Sequence, residues 1–163
     1  MVREILLLGE AGLYERCEYI KQEEVPSLIE TIGDLKDTLD SFNAANGFGK
    51  AISAPQIGLK KRLVYMYIAG QPVIFINPKL EFLGYEKQYK RERSLSFPLL
   101  EIGTTRHMRC RVKYRDMLWN QVDMMLEGEH ALNIQQMLDH LDGILPIFRA
   151  SDKRAMVYRS SMT

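Results

Sequence analysis

The sequence predicts an α+β chain, and three patterns predict it. An early stretch repeats apolar residues every three or four positions, period-two stretches with hairpin signals fill the middle, and a second long helical pattern follows them. Strands grouped in one block, rather than alternating with helices, belong to that class.

The length of 163 residues fits one domain over 1–163, with residues 149–163 a polar tail that is either a short surface helix or frayed. A net charge of +1 argues against a broad polyanion-binding surface. Cys17 and Cys110 stand far apart with no ligand-like spacing, which fits free thiols in a reducing compartment. The apolar run at 5–8 is too short for a signal peptide or a membrane span, so the expected location is cytoplasmic.

In chain order, residues 1–24 read as an extended arm. Pro26 suits a first helical turn, and Leu28, Ile29, Ile32, Leu35, Leu39 and Phe42 continue it as an amphipathic helix of five turns or so, ended by Gly47 and Gly49. Residues 49–58 are small and glycine-bounded. They suit either a tight loop packed on a sheet or close approach of backbone to a ligand. Strands follow at 62–69 and 72–77 around Gly70-Gln71, with a second pair expected at 79–85 and 86–92 around Gly84. Residues 109–115 alternate Cys110, Val112 and Tyr114 against a basic face, and 121–126 form the next strand. The methionines between 117 and 125 suit either a partner surface or core filling.

The last helix holds the stretch Gln135-Gln136-Met137-Leu138-Asp139-His140-Leu141, with Gly143 as its stop. Four helical residues turn about 400°, so positions 136 and 140 share a face. Two histidines at that spacing, with Glu after the first, make a divalent-metal site. Here Gln136 and Met137 replace the first His and the Glu. A single His on an amphipathic helix is more often a core residue than a ligand.

Two further stretches complete a set. Gly49-Lys50-Ala51-Ile52-Ser53-Ala54-Pro55-Gln56, Glu92-Arg93-Ser94-Leu95-Ser96 and the helix motif resemble, in order and spacing, the three motifs of the peptide deformylase family: Gly-x-Gly-apolar-Ala-Ala-x-Gln, Glu-Gly-Cys-Leu-Ser and Gln-His-Glu-x-Asp-His-Leu. The resemblance implies antiparallel sheets around a central C-terminal helix. It also implies a metal, iron, zinc or nickel, that activates water against the formyl group of a nascent chain's initiator methionine. Carried over by position, the metal ligands fall at Ser94, Gln136 and His140, the proton-handling Glu at Met137, and the oxyanion donors at Gln56 and the N–H of Leu95. Substrate contacts are expected at Gly49, Ile52, Ser96, Phe97 and Arg106, the last at the cleft rim. Arg93 stands where the family usually has a glycine; it could block the pocket or plug the vacated metal position, and the sequence leaves open whether the cleft is open or filled by Met137 and Arg93.

The substitutions weigh against catalysis. A serine hydroxyl is a weak ligand beside a thiolate, and an amide oxygen suits hard cations. A thioether carries no proton. Without a metal, water keeps a pKa near 15.7. The leading expectation is a degenerate family member with no metal cofactor, no deformylation and a retained cleft for an N-terminal or extended peptide. Such a peptide would add as a strand beside residues 92–98. No membrane partner is expected, and nucleic acid only through association with the ribosome. Three alternatives stand beside it: an active deformylase with ligands recruited from His107, His130 or Cys110; a structural subunit; and a serine hydrolase built on Ser94, His140 and Asp139.

Overall fold

The computed structural model describes residues 1–159, so the last four residues of the expected polar tail lie outside the described part. Two α-helices and eight strands form four layers. Helix α1 (Leu28–Asn46) covers one face of a five-stranded antiparallel sheet and α2 (Gly128–Leu141) covers the other. Beyond α2 lies a three-stranded antiparallel sheet, so the last long helix is central.

The arm runs extended except for a 3-10 turn at Ala11–Tyr14. Its backbone ties to the later site: Leu6 N–H donates to the Gln56 carbonyl (2.8 Å) and Leu8 N–H to the Ser96 carbonyl (2.9 Å). Pro26 lies in a 3-10 turn, Gln22–Ser27, that feeds α1 rather than inside it. Leu28, Leu35 and Leu39 are buried, whereas Ile29, one residue off the stripe, is 68 % exposed. Gly47 closes α1 at φ 76, its N–H donating to the Asn43 carbonyl at 2.8 Å.

The five-stranded sheet has the order β1 (Ala51–Ser53), β2 (Leu63–Ile68), β3 (Gln71–Phe82), β6 (Arg109–Arg115), β7 (Gln121–Glu127). Its period-two alternation sends Val64 and Met66 toward α2, and Leu63 and Tyr65 toward α1. Ala69 and Gly70, both at positive φ (50 and 78), form the β2–β3 turn. The stretches expected as two strands at 72–77 and 79–85 are one strand, β3, kinked by a bulge between Ile76 and Lys79. Asn77 occupies the bulge at φ 51, and its amide holds the backbone of Ile20 from both sides (2.9 and 2.8 Å).

The expected hairpin around Gly84 does not form. Residues 79–82 pair with β6, while β4 (Lys87–Glu92) crosses to the second sheet and pairs with β5 (Leu100–His107). The physical reason is burial: pairing with β6 sets Leu80 opposite Val112, against the core that α2 covers. The tail is neither helix nor frayed as far as residue 159. A 3-10 turn at Pro146–Arg149 leads to β8 (Met156–Tyr158), the third strand, paired with β5. Gly143 stands at φ +74 where a Cβ would fall 2.6 Å from the Tyr14 carbonyl oxygen, so both conformation and space require glycine. Among the described residues, no helix is long and apolar enough to cross a membrane. Cys17 and Cys110 are free and buried, and burial pushes both thiols up to about 11. Of the methionines near 120, Met117 and Met124 pack on the core and Met125 is exposed.

Candidate functional site

Helix α2 carries the centre of the site. Ala131, Ile134, Leu138 and Leu141, spaced three and four residues apart, pack on the five-stranded sheet. Gln136, Met137 and His140 are buried beside them. His140 is 0 % exposed, and neither of its ring nitrogens has a hydrogen-bond partner. Burial drives its pKa down to about 4; Asp139 opposes that shift and Arg106 adds to it. The imidazole is therefore neutral at pH 7.

Its neighbours are otherwise engaged. Gln136 Nε2 donates to the Arg93 carbonyl at 3.0 Å, fastening the helix to the segment after β4. Met137 belongs to the apolar core between α2 and the sheet. Ser94 Oγ accepts the Ser96 N–H at 3.1 Å and makes no bond to His140. Asp139 turns away from the imidazole toward Arg106 Nη1 (2.9 Å) and Arg149 Nη2 (3.1 Å). The Ser–His–Asp arrangement that a serine hydrolase needs is thus not formed.

Gln56 is fully buried in a 3-10 turn, Ala54–Ile57, directly after β1. Its Oε1 accepts the Ser53 N–H (3.0 Å) and Oγ–H (3.1 Å), and its Nε2 donates to Ser96 Oγ at 3.2 Å. The amide is committed to holding the two motifs together.

The donor set does not fit a transition metal. His140, with orphaned nitrogens and a low pKa, would bind one well, but Ser94 offers a hydroxyl and Gln136 an amide. The recruited ligands do not assemble either. His107 stacks on Phe82 with ring centroids 3.9 Å apart, Cys110 is buried in the core, and His130 lines a separate hollow beside Asp40 and Tyr67. Among the described residues, no three His, Cys, Asp or Glu side chains are placed to hold a metal ion.

A cleft of about 330 Å³ opens between the two sheets. Phe48, Ala51, Leu95 and Leu132 give it an apolar lining, and Gln136 forms part of its wall. Gly49, at φ +105, lines it too, where a Cβ would crowd Leu95 at 3.2 Å. The other expected contacts lie elsewhere. Ile52 points into the α1 core, Phe97 packs with Leu13 and Ile102, and Ser96 is buried against Gln56. Arg106 is not at the rim. It is buried between Glu92 and Asp139, donating from Nε and Nη2 (3.1 Å) to Glu92, whose Oε2 also accepts from Thr104 at 2.6 Å. A buried arginine persists only when paired, and two carboxylates supply that pairing.

Arg93 neither fills the cleft nor reaches His140. Its guanidinium lies over the Phe48 ring at 4.8 Å, and its Nε is 3.7 Å from Glu101. Phe48, Leu132 and Glu101 escaped sequence reasoning. Leu132 stands one turn before Gln136 on the same helix face, and Phe48 is an aromatic between two glycines, so both left a signal. Glu101 left none.

The polypeptide deformylase family model matches residues 2–156. A "Peptide deformylase-like" protein of Brucella melitensis is 38% identical over 120 residues, covering 72% of each chain. A crystal structure of peptide deformylase from Thermotoga maritima superposes with a TM-score of 0.84 at 31% identity, over 93% of this chain and 99% of that one. The peptide deformylase of Synechococcus elongatus, solved in complex with actinonin, gives a TM-score of 0.84 at 26% identity, over 93% of this chain and 80% of that one.

Proposed function

The chain belongs to the polypeptide deformylase family, and from that premise we propose that it is a non-catalytic member that binds an extended or N-terminal peptide in the cleft between its sheets. The observation that carries the reading is the state of α2: one neutral imidazole, buried without a partner, stands among an amide, a hydroxyl and a thioether. The one base there is an imidazole that burial holds near pKa 4, too weak to activate a water that has no metal, and the amide, hydroxyl and thioether carry no proton to a leaving amine.

Two features support peptide binding. The Synechococcus relative was captured with actinonin, so a protein of this fold takes a small ligand. In this chain Tyr67 N–H donates to the Lys50 carbonyl at 2.8 Å, which fixes the hydrogen-bonded pairs of the β1–β2 ladder. The N–H and C=O of Ala51 then turn away from β2, on an edge strand that lines the cleft. An incoming strand could take those two groups. The bank for that strand is therefore β1 as well as the segment after β4.

The test is paired. Protein loaded with iron or nickel is assayed on a formyl-Met peptide, and binding of the same peptide is measured by calorimetry. Binding without turnover is expected. Turnover within tenfold of an ordinary deformylase overturns the loss of catalysis, and no binding overturns the cleft.

A further inference from the structure

We propose that the cleft selects segments whose apolar residue is flanked by acidic ones, through a cationic rim. The inference rests on the peptide-cleft reading above and specifies its ligand.

Lys50 stands on one bank and Lys90, Arg91 and Arg93 on the other, all lining the cleft. Two carboxylates lie near them, and only one, Glu129, offsets a rim cation, Lys90. Glu92 is buried and spent on Arg106 and Thr104. Glu129 is exposed and sits 3.7 Å from Lys90. Lys50 and Arg91 have no ion pair among the described residues. Arg93 reaches toward Glu101, but Arg159 also bonds that carboxylate, so two cations share one charge. The rim is left with surplus positive charge on a protein whose net charge is only +1.

The floor between the banks is apolar, formed by Phe48, Ala51, Leu95 and Leu132. Side chains of an extended segment alternate in direction. A residue directed at the floor has neighbours directed at the banks, so the complementary pattern is acidic–apolar–acidic. Arg93 is the hinge of this arrangement. Stacked on Phe48 and weakly held by Glu101, it can exchange that shared carboxylate for one on the ligand without uncovering the ring. A basic segment meets like charge on both banks and is rejected.

The experiment uses the full chain and three C-terminally labelled pentapeptides, Ala-Glu-Met-Glu-Ala, Ala-Gln-Met-Gln-Ala and Ala-Lys-Met-Lys-Ala, followed by fluorescence anisotropy. At low salt the Glu peptide is expected to bind about tenfold tighter than the Gln peptide, and the Lys peptide more weakly than either. The gap should close at high salt, because rim charges are screened. Arg93→Glu is expected to abolish the preference. Arg91→Glu, at an exposed position with no ion pair to lose, should reduce it and guards against misfolding of the first variant. Equal binding of all three peptides overturns the charge preference and leaves the cleft reading standing. Failure of every peptide to bind overturns both.

Discussion

Replacing Arg106 with methionine isolates what the buried ion network contributes. In the folded protein Arg106 serves Glu92 with two guanidinium nitrogens and Asp139 with a third, and all three side chains are at most 13 % exposed. Methionine fills most of the volume but leaves the Glu92 carboxylate with Thr104 alone. Asp139 keeps Arg149 at the surface, so the uncompensated charge is chiefly Glu92. Breaking a buried pair from one side costs about 3–5 kcal/mol. For a chain of this size that lowers Tm by about 6–20 °C. The assay is thermal and urea unfolding followed by circular dichroism. Adding Glu92→Gln should return more than half of the loss, because a neutral amide tolerates burial beside methionine far better than a carboxylate. A loss below about 1 kcal/mol, or a double variant no better than the single one, refutes the argument that the network is held by charge compensation.

His140 links stability to pH. Its folded pKa of about 4 lies below the ordinary value of 6.5, so the unfolded chain binds the extra proton first. Its contribution is complete above pH 6.5 and shrinks by about 1.4 kcal/mol per unit as pH falls toward 4. His140→Leu should flatten that part of the urea-midpoint profile. The same variant should be no less stable than the parent at pH 7, because it removes two buried nitrogens without partners; a loss above about 2 kcal/mol would show that those nitrogens are satisfied in solution. Met137→Glu alone should restore no deformylase turnover, since a proton carrier without a metal has no activated water to serve. Ala69→Asn should stabilise by about 0.5–1 kcal/mol by suiting a left-handed turn position, φ 50, read as a raised urea midpoint.

Helices and hairpins of strong local pattern were legible. The α1 stripe, the turn before Gln71, the alternation of β6 and the buried face of α2 all follow from residue spacing. Strand β5 was not. It is the middle strand of the second sheet, with Ile102, Gly103 and Thr104 buried consecutively, so it shows no period of two. The partner of β4 was equally hidden, because Gly84 looks like a hairpin turn whether the chain folds back or crosses to another sheet. At the site, the positions of Ser94, Gln136 and His140 came from motif spacing, while their bonds did not. That Gln136 donates to a carbonyl, and that Arg106 is buried, depend on contacts across 43 and 14 residues of chain.

The central position of α2 bears on how the protein is made. The inner faces of both sheets wait for a helix that ends at residue 141, so Val64, Phe75 and Val112 have no cover while the ribosome is still adding it. An early hairpin such as β2–β3 can pair soon after it emerges, yet the core closes only after residue 141 has emerged as well.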